Sequence, residues 1–232
     1  MPHFRIDSLR NAGGWDAYNV TEDADLGIRL ARFGYRATVI DSTTYEEAPA
    51  RLGPWMRQRT RWFKGWMQTW AVHMRSPRRL YRDLGPGGFW TFQLVVGGNV
   101  LSSLIHPIFL ASVIHAAVIG HPLLSADSQA TALTWLFGMS LTSGYLLSIA
   151  LGIRGLARRG LLAHAWVLVL VPVHWAILSL AAWRAVYKLL RDPQGWEKTE
   201  HGLAKNSRRA NTASGAPHDA AIEPAPRLRS AA

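Results

Sequence analysis

Gln58, Arg61 and Trp62 sit at the spacing that lines one face of a helix, with Gly65 one turn further on. Together they offer a carboxamide, a guanidinium and an indole. An Arg fork suits phosphoryl oxygens and a Trp face suits a sugar ring, so this face is equipped to hold a sugar and an anionic phosphate. A second group, Thr21, Glu22 and Asp23, lies about thirty-five residues upstream. On its own an acidic pair there is ordinary helix chemistry, because free N–H groups and the helix dipole favour carboxylates in a first turn.

The elements that must position these groups follow from pattern. Asn19 to Glu22 reads as a capping box, with Asn19 as N-cap, opening a helix whose apolar stripe is Leu26, Leu30 and Phe33. Ala12 to Trp15 makes the loop that feeds it, and Gly34 ends it. Tyr35 to Ile40 is predicted as a short strand and Asp41 to Thr44 as the turn leaving it. The stretch from Trp55 to Trp70 reads as one helix at a joint: a mixed, charged zone precedes it and an apolar zone follows.

The chain has 26 Lys plus Arg against 15 Asp plus Glu, a formal charge of +11. Because the positive residues cluster beside apolar spans, lipid and loop orientation account for them without nucleic acid. With no Cys there is no disulfide, thiolate metal site or Cys nucleophile. Met1 to Arg10 is interrupted by Arg5, Asp7 and Arg10 and is not a signal peptide, so the first zone is expected on the cytoplasmic side.

Thr21-Glu22-Asp23 followed by Gln58-Arg59-Thr60-Arg61-Trp62, which matches Gln-x-x-Arg-Trp, and then by apolar spans, resembles the processive family 2 glycosyltransferases. That group includes cellulose, chitin and hyaluronan synthases. The resemblance covers about residues 3–203 and takes in Trp196 to Thr199 and His201-Gly202. It implies an inner-membrane enzyme that moves a sugar from a nucleotide-sugar donor to a growing glycan in one inverting displacement. Asp23 would be the general base, its pKa raised by burial and by Glu22, with Thr21 and Glu22 positioning it. Arg61 would hold the departing diphosphate, Gln58 would hydrogen-bond at the acceptor, and Trp62 would stack on its terminal sugar.

The family's donor half is a GT-A, nucleotide-diphosphosugar fold whose Asp-x-Asp binds a divalent metal, Mg or Mn. No such motif precedes residue 20, and Asp23-Ala24-Asp25 overlaps the base motif within a helix. The fold class expected here is therefore an α+β remnant of a GT-A domain over residues 1–85, including an interfacial helix at 55–75, followed by an α-helical transmembrane region. The metal ligands are expected outside this chain, and the isolated chain is expected not to turn over. A fragment, a truncated product and half of a split enzyme all fit, and a non-catalytic scaffold of a polysaccharide synthesis or export complex is the alternative.

The membrane region is expected over residues 86–203. Gly85 to Gly88 breaks the chain before it, and spans lie near 89–120, 132–153 and 161–188. The first is a tilted, kinked helix, an interfacial segment followed by a crossing, or a double pass. Arg154, Arg158 and Arg159 place the turn after the second span inside, whereas residues 121–131 carry no Lys or Arg and belong outside. The basic tail also belongs inside, which a third full crossing would forbid. Pro172 divides the last span into pieces too short to cross about 30 Å, so a re-entrant hairpin is predicted.

Side chains around these features are read mostly as structural. Arg57, Arg59 and Lys64 are expected as interfacial charges, Trp70 as a belt anchor, and Asn99, His106, His115 and His174 as packing contacts; Trp66 and His3 stay unassigned. Residues 204–232 read as a disordered basic tail.

Overall fold

The computed structural model describes residues 3–16, 18–39, 48–49, 51–119, 129–193 and 195. Helix α1 (Ile6–Asn11) is followed by α2 (Glu22–Arg32), α3 (Leu52–His73) and α4 (Pro77–Phe92). A π-helical turn, Gln93–Gly97, then joins α4 to α5 (Gly98–Ile119), and α6 (Gln129–Arg158) follows. A 3₁₀ stretch, Leu162–Leu170, runs into α7 (Val171–Arg191).

Local chemistry explains several of these boundaries. After α2, Gly34 takes φ 80°, Tyr35 N–H bonds the Leu30 carbonyl at 3.1 Å and Gly34 N–H bonds that of Ala31 at 3.0 Å. Those two bonds satisfy carbonyls the helix end leaves open, so Gly34 does stop the helix. The start differs from the capping-box reading. Thr21, not Asn19, is the N-cap residue, and the Asn19 carboxamide instead accepts the Thr21 N–H at 3.0 Å.

The expected strand is corrected as well. Residues 35–39 carry no regular structure, and Val39 is 96% exposed. A strand needs a partner to take its N–H and C=O groups, and no strand occurs among the described residues, so the α+β remnant is replaced there by helices. Ile40, the turn at 41–44, residues 121–128, the 196–202 motif and the tail lie outside the described residues.

Helix α3 is the joint. On one side Phe63 packs with Ala181, Ala182 and Ala185 of α7, backed by Val100 and Leu104 of α5. On another, Trp66 and Met74 join Leu80, Phe92 and Val96, with Ile28 of α2 added. Trp66 therefore belongs to the core. Trp70 donates its indole N–H to Gln93 Oε1 at 2.9 Å, which ties α3 to the π-helical turn rather than leaving Trp70 as a lone anchor.

Among the described residues, three helical segments are long and apolar enough to cross a membrane: Pro77–Val118, Ala132–Arg158 and Leu162–Arg191. The first is bent where Gly85 adopts φ 68° just before Pro86, then continues as helix through the π turn and Pro107 to Ile119, with no reversal that a double pass would need. Helix α6 carries on through Arg154 to Arg158, so the turn after it is confined to Arg159–Leu161, with Gly160 at φ 67°.

The third segment is not uniform along its length. His106 lies beside Tyr145 and Phe109 beside Phe137, so α5 and α6 are antiparallel. Leu168 and Trp175 pack on Gly152 and Gly144 of α6, and Ser179 and Trp183 meet His106 and Leu104 of α5, so the third segment passes from α6 to α5. It changes from 3₁₀ to α-helix next to Pro172, whose missing N–H removes a helix hydrogen bond.

Between these helices His106 is fully partnered. Ser179 gives its proton to the Trp175 carbonyl at 2.9 Å, so His106 Nδ1–H donates to Ser179 Oγ at 3.2 Å and Nε2 accepts from Tyr145 at 2.7 Å. His174 meets the Trp55 ring edge-on at 5.6 Å. Both histidines are contacts between helices, whereas Asn99 and His115 are exposed.

Candidate active site

One stripe of α3 organises the site. Gly65, Thr69 and His73 recur once per turn, and each meets the start of α2 or the turn before it. At Gly65 there is no side chain, and Thr21 fills the space; a Cβ there would lie 2.5 Å from Thr21 Cγ2. At Thr69, the hydroxyl oxygen accepts from Asn19 Nδ2 at 2.8 Å, a buried bond. At His73, Nε2 meets Asp25 Oδ1 at 3.0 Å. Arg61 and Gln58 extend the same stripe one and two turns toward the N-terminus. The fold thus brings the Thr21-Glu22-Asp23 corner to the face that carries Gln58 and Arg61.

The carboxylates at that corner have different surroundings. Asp23 is exposed and accepts from the Trp15 indole N–H at 3.3 Å, so the burial anticipated for a base is absent among the described residues. Glu22 is half-buried. Asp25 is buried and takes Arg29 Nε at 2.7 Å as well as His73. Burial alone would raise the Asp25 carboxyl, but the hydrogen bonds from His73 and Arg29 and the Arg29 charge outweigh it and hold it below the ordinary carboxylate range. Arg29 also donates to the carbonyls of Ala12 and Gly14 (2.7 Å for the latter), fixing the loop that carries Trp15.

A metal does not fit this corner. Among the described residues no three His, Asp or Glu side chains converge as ligands, and Asp25 is committed to Arg29 and His73.

Trp62 leaves the stripe for the neighbouring face. It is 38% exposed, and the Arg59 guanidinium lies over its ring at 4.3 Å and over Trp55 at 5.4 Å. Arg59 is therefore a stacked, half-buried cation, not a solvated interfacial charge; burial pushes its pKa down from the ordinary value. Arg57 is half-buried. Lys64 needs a larger correction. Only 3% exposed, it donates to the carbonyls of Asp192 at 2.6 Å and Gly195 at 2.9 Å, while Gln68 Nε2 donates to Pro193 O at 2.8 Å. Carbonyl dipoles supplied by the chain beyond α7 help to offset the burial of its charge.

Sequence reasoning missed the polar set around His73. Arg32 donates to Asp83 at 2.9 and 2.7 Å and also lies 3.1 Å from His73 Nδ1, which links α2, α3 and α4. A lone His, an Asp in the first turns of a helix and an Asp in a basic run give no local signal of partnership. The one available signal, the i, i+4 recurrence of Gly65, Thr69 and His73, went unread.

The family described as Glycosyl transferase family group 2 matches residues 3–190. The Bacillus subtilis (strain 168) protein described as "Probable glycosyltransferase YdaM" is 31% identical over 120 residues, which cover 49% of this chain and 28% of that protein. The chain thus spans less than a third of that relative's length. No solved structure matches it.

Proposed function

The chain belongs to the family group 2 glycosyl transferases, and from that premise we propose that it forms the acceptor-side and membrane portion of an enzyme moving a sugar from a nucleotide-sugar donor to a growing polysaccharide. The observation that carries this reading is the seat of Thr21 on Gly65, which sets the acidic corner beside the stripe bearing Arg61 and Gln58. In the reaction, an acceptor hydroxyl attacks the anomeric carbon. Its proton passes to the Asp23 carboxylate, the new O–C bond forms as the bond to the diphosphate breaks, and the diphosphate leaves with that electron pair. Configuration inverts.

Arg61 supplies the charge that meets the departing diphosphate. Gln58 orients the acceptor hydroxyl, and Trp62 offers its exposed ring to the acceptor's terminal sugar. The closure of such a site over the acceptor is what would bury the exposed Asp23. In this reading the nucleotide and its divalent cation are held by a part of the enzyme other than the described residues, and polymer export partners sit against the membrane helices. The chain resides in the plasma membrane, with its N-terminal zone and tail both cytoplasmic and the bent third segment returning to the side it entered.

The test is radiolabelled sugar incorporation by membranes carrying the complete enzyme, with Asp23→Asn and Arg61→Ala variants that insert normally. Loss of roughly a hundredfold or more in either is expected for a base or an oxyanion ligand. Unchanged polymer output in Asp23→Asn would end the enzymatic reading and leave a scaffold for a polysaccharide complex.

A further inference from the structure

The buried polar set at the end of the α3 stripe contains one side chain with a charged partner on each of its two polar atoms. Arg32 Nη1 lies 3.1 Å from His73 Nδ1, and a guanidinium has no acceptor, so Nδ1 must accept. The ring proton then sits on Nε2, which donates to Asp25 Oδ1 at 3.0 Å. His73 thus presents one acceptor and one donor, each facing a charged group. Around it, Asp25 and Asp83 balance Arg29 and Arg32, with Arg79 Nε further out at 3.9 Å from Asp83. Phe92 of α4 closes the pocket edge-on at 5.9 Å from the ring.

This arrangement matters to the site because Asp25 lies two residues after Asp23 on α2, while Arg32 is near the other end of the same helix. His73 therefore grips α2 at two points and α4 through Arg32 and Asp83. The Gly65 seat is two turns away along α3 and fixes only the first residue of the motif. Thr21 on Gly65 and Asn19 on Thr69 hold the entry to α2, and Arg32 on Asp83 ties its far end to α4. His73, eight residues along α3 from Gly65, adds the polar contacts of α3 with the body of α2 itself.

We propose that His73 is a positioning residue: its paired bonds to Asp25 and Arg32 set the angle of α2 on α3 and so hold the Thr21-Glu22-Asp23 corner against the stripe that carries Arg61. The consequence for catalysis rests on the transferase reading above, whereas the consequence for α2 does not. The requirement is specific: one acceptor and one donor on one side chain. Glutamine meets it, with Oε1 for Arg32 and Nε2–H for Asp25. Leucine fills the volume without either, and lysine supplies donors only, aimed at Arg32.

The test compares His73→Gln, His73→Leu and His73→Lys in the full chain, purified in detergent, by hydrogen exchange of the α2 amides, with the α5 and α6 amides as the folding control. The complete enzyme's kcat and KM are measured alongside. Gln is expected to keep α2 protection and kcat within a few-fold of wild type. Leu and Lys are expected to speed α2 exchange by about tenfold or more, as for loss of hydrogen bonds to charged groups, and to lower kcat with little change in KM. Equal α2 protection in Leu and Gln would overturn the proposal, because packing alone would then suffice. If the exchange pattern holds but no form transfers sugar, wild type included, the positioning role stands and the transferase reading fails.

Discussion

Thr21 sits directly on Gly65: a Cβ at position 65 would lie 2.5 Å from Thr21 Cγ2, in a buried stretch of α3 where neither backbone can easily yield. Gly65→Ala should therefore lift the start of α2 from α3. Overpacking of this kind costs about 1–3 kcal/mol, and a displacement near 1 Å at a reacting group can cost about a hundredfold in rate. The expected outcome is sugar transfer reduced roughly tenfold to a hundredfold with normal membrane insertion, and faster exchange of the α2 amides. Adding Thr21→Ala should recover part of the α2 protection but not the transfer. Full activity in Gly65→Ala would show that the close seat is not needed.

Asp25 gives the docking of α2 a pH dependence with a definite sign. Its carboxyl is held below the ordinary range because His73 and Arg29 favour the ionised form more than burial opposes it. A group with a depressed folded pKa contributes stability that is fully present above its unfolded pKa, about 3.9, and is lost as pH falls through the lower folded value. As pH falls from about 5 to below the unfolded value, α2 exchange corrected for intrinsic rates should rise in wild type. In Asp25→Asn, which cannot ionise, α2 should already be less protected at pH 6, and its protection should change little across that window. A wild-type profile as flat as that of the variant would contradict the pairing.

Lys64 fastens the chain beyond α7 to the joint helix. Two backbone carbonyls, those of Asp192 and Gly195, depend on one buried ammonium. Lys64→Met keeps most of the apolar stem and removes the donor, so those two bonds are lost. Hydrogen bonds to a charged group are worth about 1.5–3 kcal/mol each, so amide exchange in the peptide that follows Arg191 should quicken at least tenfold. Exchange within α3 should change little. If the peptide after Arg191 exchanges as in wild type, Gln68 or side chains beyond the described residues must be sufficient to hold it.

What the sequence made legible was local. Gly34 and Gly85 were recognisable because a positive φ is a backbone demand that one residue type meets at little cost. The joint helix and the three apolar segments were visible because their periodicity or length exceeds what a loop would show. The errors have a common origin in partners distant in the chain. Asn19 looked like a cap because Glu22 stands three residues on, yet its amide is used by Thr69, fifty residues away. Lys64 looked like a surface charge because the carbonyls that accept its protons lie more than 120 residues downstream. Residues 35–39 had strand composition and, among the described residues, no strand to pair with. Asp25, His73 and Asp83 are individually ordinary, and their relationship exists only once α2, α3 and α4 are packed.

The path of the third segment past Pro172 makes a claim about topology that labelling can decide. Leu168 packs on Gly152 and Trp175 on Gly144, while further along Ser179 reaches His106 and Trp183 reaches Leu104. The third segment therefore passes from α6 to α5, and the Asp192 carbonyl lies where Lys64 donates to it; the re-entrant path proposed above puts both ends of the segment on one side of the membrane. Because the chain contains no Cys, single cysteines can be introduced without background. In intact cells, cysteines at Ser8 and at Arg191 should both resist a membrane-impermeant thiol reagent, and a cysteine at position 124, in the stretch between α5 and α6, should react. After the membrane is permeabilised all three should label. Labelling of the Arg191 site from outside would mean that residues 162–191 cross completely, and the contact between Lys64 and the chain beyond α7 could not then form in the membrane-inserted protein.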